Sequence, residues 1–513
     1  MNSAFIVHKI SLSALGQNRL VFHLSCPDCG HAFWLDYYQS GAENERTPCP
    51  ECRLKSELAE EAVKTAFDRQ MRRLTGRLDP YGSHPQLDER LGLALANAVI
   101  LLKPLLIVLL VGFYSEHIGH IIMFPAILQA RLKRSINRRP LMFAFHSDAS
   151  KVKNRCIIKQ WSRDFIFTSA AKTAYDFLRT RPDQGNADNS LLKLPTDCWG
   201  RRRLEAEGEY YSWKTANMPL PKRTGNLVDL RDMYWTIEYE GALAEYGPPF
   251  IFTDEEHFLA RRWLQDHGIK RDYVCFLSRD SLHHLREQPD KREMWAGIDY
   301  RNTDANSYIP AMNWLADQGV ASLRTGSVAA EPLALRRDEV IDYAFLERGE
   351  FMEFMDIYLA SFCLLQVSCG TGPDAAAFLM ERPILFVNIP AFIGVGRAGS
   401  PPWLTCYVPK HMRYLEKGRN LSFREMLDHE LADVYSWKHL KKAGVTLVDV
   451  TPDEMLLYVQ EMYARITGQW VVTEEERQLQ QSAQDIIHEY YPGMPLDYIY
   501  SYHYLKNNPF LLA

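Results

Sequence analysis

Residues 367–388, VSCGTGPDAAAFLMERPILFVN, constrain the fold more than any other part of this sequence. A short apolar run ends in a turn with two glycines, an alanine-rich segment follows Pro373, and a second apolar run follows Pro383. Short apolar runs are typical of strands that are buried on both faces, and the segment between them has the length of one helix. The pattern therefore predicts a strand–helix–strand unit of a parallel sheet.

The same alternation occupies most of the chain after residue 104. We predict strands at residues 105–113, 140–145, 273–278, 321–326, 363–368 and 384–388, and helices at 121–132, 254–269, 308–317, 351–360 and 373–381. Residues 180–250 are polar and irregular and interrupt the pattern. Because a chain of 513 residues is also too long for one core, we expect an α/β protein with two Rossmann-like domains. These domains occupy residues 104–245 and 246–470, with a cleft between them and a helical tail at 471–513.

Residues 91–113, LGLALANAVILLKPLLIVLLVGF, are apolar enough to raise the question of a membrane span. Lys103 and Pro104 stand near the middle of this segment. A lysine at the centre of a bilayer costs about 2.5–3.5 kcal/mol, and proline interrupts helical hydrogen bonding. We therefore divide the segment into a helix that ends at Lys103 and a buried strand. The N-terminus also lacks the pattern of a secretory signal. We expect a cytoplasmic protein, and peripheral contact with the inner face of the membrane stays open.

Two C-x2-C pairs near the N-terminus indicate a metal site. Cys26 and Cys29 form one pair, Cys49 and Cys52 form the other, and nineteen residues separate the pairs. Each C-x2-C turn directs two thiolates at one tetrahedral ion, so the spacing predicts a four-cysteine zinc ribbon over residues 1–55. Four cysteine ligands leave no coordination position for water, and we therefore expect a structural zinc ion rather than a catalytic one.

The charge of the ribbon argues against nucleic acid as its partner. Acidic residues outnumber basic ones around the cysteines, and the whole chain carries a net charge of -5. Phosphate backbones are bound by clustered lysine and arginine, which this balance does not offer. A protein partner or a purely structural role is the better expectation for the ribbon. Residues 56–103 then form a helical linker to the first large domain.

Polar residues follow the predicted strands at the edge where doubly wound sheets bind ligands. His120 lies in the loop after the strand at 105–113, Arg279 and Asp280 follow the strand at 273–278, and Arg324 lies near the end of the strand at 321–326. We find no Asp-x-Asp metal clamp at a strand end and no Walker A motif. A site that uses arginines and helix amides without a catalytic metal is the best interpretation.

The turn before Pro373 is a candidate anion site. Gly370 and Gly372 permit positive φ angles and close approach of the backbone, and Pro373 suits the first position of a helix. A helix that begins there directs free N–H groups at a ligand. Arg279 and Arg324 can supply fork-shaped donors for a diphosphate. We therefore predict that an anionic ligand such as a diphosphate is bound by the following residues: Arg279, Arg324, Ser368, Gly370, Thr371 and Gly372.

Several segments resemble a family of predicted bacterial glycosyltransferases. They are SEHIGHIIMFPAIL, CFLSRDS, YRNTDANSYIPAMNWLADQGVASLRTG, VSCGTGPDAAAFLMERPILFVNIP and the ending YHYLKNNPFLL. The second half of that family is similar to fucosyltransferase-like GT-B enzymes. The resemblance covers about residues 100–513 and leaves out the ribbon. It implies a nucleotide-sugar donor on the C-terminal domain, a glycan or glycoconjugate acceptor on the N-terminal domain, and a role in building surface polysaccharide or other glycoconjugates.

By position, the resemblance makes Arg279 the arginine that meets the donor diphosphate and residues 368–372 the donor-phosphate loop. Ser278 and Cys369 depart from the family pattern, so the resemblance does not define the sugar or the nucleotide. An inverting transfer needs a base for the acceptor hydroxyl and positive groups for the leaving diphosphate. Asp280 and His120 are the candidate bases, and Arg279 and Arg324 are expected to stabilise the leaving diphosphate. Structural roles stay open for both bases: an ion pair for Asp280 and a backbone hydrogen bond for His120.

Two other functions fit the same sequence. A nucleotide-sugar epimerase uses the same architecture but needs no separate acceptor. A scaffold protein, in which the zinc ribbon binds a partner and the α/β body has no activity, is the alternative outside enzymes. A glycosyltransferase that is independent of metal is the function that we carry forward.

Overall fold

The structure is a computed structural model that describes most of the chain from residue 108 onward and short stretches before it. The described residues are 6–12, 19–25, 30, 32–38, 47–48, 55–56, 93, 95–96, 108–135, 141–179, 227–230, 247–270, 272–287, 290, 292, 297, 299–394, 396–397, 400–432, 437–492 and 496–513. The four cysteines of the predicted zinc ribbon, most of the predicted linker at 56–103 and most of residues 180–250 lie outside them.

The described N-terminal residues form two small antiparallel sheets. Strands β1 (Ile6–Leu12), β2 (Arg19–Ser25) and β3 (Ala32–Tyr38) pair in that order, and β4 (Thr47–Pro48) pairs with β5 (Lys55–Ser56). The first cysteine pair falls in the connection between β2 and β3, and the second falls in the connection between β4 and β5. In the sequence, each cysteine pair therefore lies between two strands that pair with each other.

The first parallel sheet has four described strands. They are β6 (Val108–Phe113), β7 (Leu141–His146), β8 (Ile166–Phe167) and β9 (Leu227–Asp229). The helices of this half are α1 (Ile118–Ser135), α2 (Arg155–Trp161) and α3 (Ser169–Arg179). The sheet order is β8-β7-β6-β9, and all neighbours are parallel. This arrangement confirms the strands predicted at 105–113 and 140–145 over their described parts.

The second parallel sheet has seven described strands, and an antiparallel pair lies beside it. In chain order these strands are β10 (Tyr273–Leu277), β11 (Ala321–Thr325), β12 (Val340–Ile341), β13 (Leu365–Ser368), β14 (Ile384–Ile389), β15 (Thr405–Pro409), the pair β16 (His411–Tyr414) and β17 (Val445–Val448), and β18 (Ile499–Tyr500). The sheet order is β12-β11-β10-β13-β14-β15-β18, and every neighbouring pair is parallel. The structure therefore confirms the α/β class and its parallel sheets.

Helices connect most of these strands. They are α4 (Asp254–Asp266), α5 (Leu282–Glu287), α6 (Ile309–Asp317), α7 (Glu350–Phe362), α8 (Asp374–Leu379), α9 (Phe423–Asp428), α10 (Trp437–Ala443), α11 (Pro452–Ile466), α12 (Glu474–Tyr490) and α13 (Tyr502–Asn507). The start of α4 shows why its boundary was predictable. The Thr253 hydroxyl accepts from the Glu256 amide at 3.2 Å, and the Glu256 carboxylate accepts from the Thr253 amide at 2.8 Å. This reciprocal cap satisfies amides that have no partner inside the helix.

Both parallel sheets follow the same winding order. In each, the first strand is central, the second and third strands lie on one side, and the fourth strand lies on the other side. The chain therefore reverses its direction of winding between β6 and β9 in the first sheet and between β10 and β13 in the second. Such a switch point opens a crevice outside the carboxyl ends of the two strands, where doubly wound proteins bind ligands.

The two halves pack together through α1 and α8. Ala375 and Ala376 of α8 belong to the same buried cluster as Ile121 and Ile122 of α1. Short alanine side chains allow the two helices to approach closely. Polar contacts add to this interface, because the Asn154 side-chain amide donates to the Glu353 carbonyl at 2.7 Å. The helix that follows the Val367 strand is therefore buried between the sheets rather than exposed on the outside of the second one.

The end of the chain is part of the second half. The sequence predicted a helical tail at residues 471–513. This segment contains α12 and α13, and it also supplies the seventh strand, β18, which pairs with β15. Glu461 of α11 is fully buried and accepts from the Ser501 hydroxyl at 2.5 Å and from the Tyr502 amide at 3.0 Å. Its ion pair with Arg465 completes the network. One buried carboxylate thus holds the final strand and helix on the core.

No helix among the described residues is both long and apolar enough to cross a bilayer.

Candidate functional site

The switch point of the second sheet brings two predicted elements of the site into contact. Arg279 follows β10, and the turn Cys369–Gly372 follows the adjacent strand β13. The Arg279 amide donates to the Cys369 sulfur at 3.2 Å. Because the two loops leave neighbouring carboxyl ends, this contact lies at the place where a doubly wound sheet binds its ligand.

The turn itself is closed by its own side chains. The Ser368 hydroxyl donates to Oδ2 of Asp374 at 2.8 Å, and the Thr371 amide donates to the same oxygen at 2.6 Å. The Gly370 amide donates to the Ser368 hydroxyl at 3.2 Å, and Gly370 has a φ of 80°. The amides of Gly370 and Thr371 are therefore used inside the turn. The prediction that these residues bind a ligand stays a prediction, and side chains rather than these two amides have to supply its donors.

Asp374 is a residue of this site that sequence reasoning missed. Its side chain is buried, and burial raises its pKa to about 7, although its two hydrogen bonds act in the opposite direction. Its second oxygen, Oδ1, is buried and accepts no hydrogen bond from the described residues. An acidic residue directly after a proline at a helix start is usually read as a favourable partner of the helix dipole. Only the burial of its side chain distinguishes Asp374 from such a residue.

A second arginine lies beside Arg279. Arg301 donates from Nη2 to the Gly370 carbonyl at 3.1 Å, and Arg279 donates from Nη1 to the Asn302 side-chain carbonyl. Arg279 is buried, and this burial together with the positive charge of Arg301 lowers the pKa of Arg279 to about 10. Two cations therefore converge on the turn. Arg301 was not predicted as a site residue, although it lies in the YRN segment of the family resemblance.

Lys410 holds the loop that carries Arg301 and Asn302. It follows β15, and its ammonium group donates to the Asn302 carbonyl at 2.7 Å and pairs with Asp449 at 2.6 Å. The side chain is buried. The Thr303 amide also donates to the Arg279 carbonyl at 3.1 Å. The segment from Arg301 to Thr303 is thus fastened on both sides at the carboxyl edge of the sheet.

The described contacts of Arg324 do not involve the turn or the two arginines beside it. It lies in β11, which does not neighbour β13, and it pairs with Asp342 at 3.3 Å. The same guanidinium donates to the Glu331 carbonyl at 2.8 Å. These contacts hold residues 331–342 on the sheet. Its predicted binding of a diphosphate stays untested, but its described contacts serve the fold.

Asp280 uses both carboxylate oxygens on backbone amides. Oδ1 accepts from the Leu282 amide at 2.9 Å, and Oδ2 accepts from the Ala330 amide at 2.9 Å. The structural role considered from sequence was an ion pair with an arginine, whereas these contacts fasten two loops to each other. The predicted role of Asp280 as the base stays a prediction.

His120 lies in the first turn of α1 within a column of rings. Its imidazole stacks on Tyr114 at 5.0 Å and on Phe124 at 4.7 Å between ring centroids. Burial, reinforced by the nearby His117, lowers the pKa of His120 to about 3. The ring is therefore neutral at physiological pH, which is the state that a general base requires, although a base of such low pKa is a weak one.

The turn of the second half touches the first half at Gly119. A Cβ atom built on Gly119 would lie 2.8 Å from the Gly372 Cα atom. Gly119 follows β6, and Gly372 follows β13, so each glycine lies beside a switch point. The contact brings the start of α1, which carries His120, to the turn that precedes Asp374. Residues predicted from different halves of the chain thus meet at one place.

The described residues contain no group of three or more histidine, cysteine, aspartate or glutamate side chains arranged to hold a metal ion. Cys26, Cys29, Cys49 and Cys52 are outside the described residues, so the predicted zinc site stays a prediction.

Comparison of the chain with protein-family models, with curated proteins and with solved structures found no match in any of the three.

Proposed function

We propose that this chain is a GT-B-type glycosyltransferase that moves a sugar from a nucleotide-sugar donor to a glycan or glycoconjugate acceptor. One observation carries the proposal: the switch points of two parallel sheets meet at Gly119 and Gly372, and Arg279 and Arg301 lie at the same turn. A transferase of this type needs two ligands side by side. Two apposed switch points offer one ligand site from each half.

The two arginines are suited to the donor diphosphate. Guanidinium groups bind phosphate oxygens through two parallel hydrogen bonds, and they stay charged when they are buried. Negative charge develops on the diphosphate as the sugar leaves, so fixed cations at this point lower the barrier. Arg279 and Arg301 together supply this charge, and the reaction then needs no catalytic metal.

The acceptor is proposed to bind on the first half, next to the loop after β6. A base there takes the proton of the attacking hydroxyl. His120 is the candidate from this half, and Asp280 is the candidate from the donor side. His120 is neutral and near the contact between the halves, whereas both Asp280 oxygens are engaged in holding loops. We therefore favour His120 as the base.

We also propose that the N-terminal strands form a zinc ribbon. The two cysteine pairs fall between paired antiparallel strands, which is the arrangement that places two C-x2-C turns around one ion. The ion would be structural, and the ribbon would serve to dock a protein partner. Work on a surface polysaccharide would place the enzyme in the cytoplasm, at the inner face of the membrane.

A thermal-shift screen tests the proposed function. The chain is heated with GDP-, UDP-, ADP- and CMP-linked sugars in turn, and we expect one nucleotide class to raise Tm by several °C, since ligand at a hundred times its Kd adds about 2.7 kcal/mol of stability. The matching donor is then incubated with the protein, and hydrolysis or transfer of its sugar is measured. Interconversion of free epimers would instead identify an epimerase. No shift with any nucleotide sugar would favour the scaffold.

A further inference from the structure

Asp374, the first residue of α8, directs its side chain into the Ser368–Gly372 turn, where its surroundings are unusual for a carboxylate. Its side chain is 5% exposed. Oδ2 accepts from the Ser368 hydroxyl and the Thr371 amide, whereas Oδ1 accepts no hydrogen bond from the described residues. Among those residues, no arginine or lysine forms an ion pair with it. A buried carboxylate with an unsatisfied oxygen is costly when ionised, so this environment favours the neutral acid.

The groups around Asp374 reinforce this preference. On its own turn, the Cys369 thiol is buried, and the charge of Asp374 contributes to raising the pKa of that thiol. From the segment before α6, the phenol of Tyr308 is affected in the same way. From the first half, Ile118 and Gly119 at the start of α1 lie against Gly372, and His117 and His120 flank them in the sequence. These groups bring no fixed positive charge to the carboxylate.

The remaining charged groups nearby are occupied elsewhere. On α7, which also packs against α8, Glu353 accepts from the Arg155 amide and Asp356 pairs with Arg348. Arg301 contacts the turn through its hydrogen bond to the Gly370 carbonyl. The ionisation of the Asp374 carboxyl group therefore changes the charge beside the turn.

An anion held by the arginines would lie close to this carboxylate. Arg301 contacts Gly370, and the next residue, Thr371, donates its amide to Asp374. A diphosphate bound by Arg301 would thus lie beside the residues whose backbone contacts Oδ2 of Asp374. Like charges at such separation in a poorly hydrated site repel strongly, and the repulsion favours protonation of the weaker acid.

We propose, on the basis of the donor site proposed above, that Asp374 is a positioning residue that carries a proton whenever the donor diphosphate is bound. The protonated side chain keeps the turn closed through Ser368 and Thr371 without placing a negative charge beside the ligand. The ionised side chain repels the ligand. One proton is taken from solvent onto the carboxyl group as the donor binds, and it is returned when the nucleotide leaves.

This linkage predicts how donor affinity depends on pH. Below pH 7 the acid is already protonated, so affinity is constant. Above pH 7 each binding event has to supply the proton, and affinity falls by up to about tenfold for each pH unit. A purely structural Asp374 would not produce this slope, because hydrogen bonds to Ser368 and Thr371 alone release or take up no proton.

Calorimetric titration in buffers of different ionisation enthalpy tests the proposal. The probe is the GDP-, UDP- or ADP-linked sugar that raises Tm most, since an esterified diphosphate keeps a constant charge near neutral pH. At pH 8 we expect the natural chain to take up close to one proton per bound donor and Asp374→Asn to take up none. We expect Ser368→Ala, which keeps the carboxyl group, to retain the uptake.

Asp453→Asn is the matched control. Pro452-Asp453 also opens a helix, as Pro373-Asp374 does, but Asp453 is exposed, so this variant should behave as the natural chain.

Equal proton uptake by the natural chain and Asp374→Asn overturns the inference and leaves the proposed function standing. If no nucleotide sugar binds the natural chain, the proposed function fails and the inference fails with it. If Asp374→Asn does not fold, difference infrared spectroscopy replaces it: a protonated-carboxyl band should appear on binding, and its absence overturns the inference.

Discussion

Gly119 and Gly372 are in backbone contact, although they lie 253 positions apart in the sequence. A Cβ on Gly119 would lie 2.8 Å from the Gly372 Cα atom, and a Cβ on Gly372 would lie 2.9 Å from the Gly119 nitrogen. No side chain fits at either position. The pair joins the switch points of the two parallel sheets and so places the start of α1, which carries His120, against the turn that precedes Asp374.

Gly119→Ala is expected to disturb this junction. The added methyl group meets backbone rather than a flexible side chain, so the two halves have to shift, at a cost of about 1–3 kcal/mol. We expect a lower Tm and weaker donor binding. Gly349→Ala is the control, because Gly349 has a negative φ and a Cβ there meets nothing within 4 Å. Equal effects of the two substitutions would contradict the importance of the contact.

Arg301→Gln separates the proposed diphosphate site from the stability of the sheet. It removes one cation at the turn, and loss of a charge-assisted hydrogen bond of about 1.5–3 kcal/mol weakens donor binding by roughly ten- to a hundredfold. We expect Tm without ligand to change little. Arg324→Gln should do the reverse, because it leaves Asp342 without its cation, with only the Leu333 amide among the described residues still donating to it, and lowers the free energy of unfolding by about 1–3 kcal/mol. Intact donor binding by Arg301→Gln would exclude Arg301 from the site.

His120→Asn tests the proposed base. If His120 accepts the proton of the acceptor hydroxyl, the substitution lowers kcat by about 10²–10⁴-fold and leaves the Kd for the donor unchanged. Because the pKa of His120 is about 3, its protonation should not reduce kcat of the natural enzyme between pH 5 and pH 8. Asp280→Asn is measured in parallel. A larger loss of kcat there, without a change in Tm, would assign the base to Asp280.

Asp374→Asn should change how stability depends on pH. The pKa of Asp374 is raised from 3.8 to about 7 in the folded protein, so folding favours its protonated form. The stabilisation is complete below pH 3.8, and it is lost as pH rises through 7. The difference in unfolding free energy between the natural chain and the variant should therefore fall by about 2–3 kcal/mol from pH 5 to pH 8. Urea unfolding at several pH values measures it, and parallel curves would refute the raised pKa.

The zinc prediction is tested by metal content and by exchange of the cysteines. We expect one zinc ion per chain by elemental analysis, and none in Cys26→Ser/Cys49→Ser. The N-terminal strands should lose protection from proteolysis in this variant, because a small metal-bound module depends on its ion for folding. The α/β body should keep its Tm. A natively purified chain without metal would rule out the ribbon.

Local patterns were enough to predict the parallel strands around the site. The runs at β10, β13 and β14 are mostly apolar because both faces of a parallel strand are covered. Pro310 in the first turn of α6 and Gly319, with a positive φ just after that helix, mark its two ends. Local patterns did not predict the short strands. β18 has two residues, and residues distant in sequence, including β15 and Glu461, hold the segment in place.

The sequence by itself determined the α/β class, the strand ends at which Arg279 and the Gly370 turn lie, and the two cysteine pairs, because each depends on neighbours within a few positions. Tertiary structure decided the rest. It placed Arg301 rather than Arg324 beside Arg279, and it turned Asp374 inward onto Ser368 and Thr371. Strand order decides which loops become neighbours, and burial decides which carboxyl groups hold a proton. Both depend on contacts between residues that are distant along the chain, which no local pattern records.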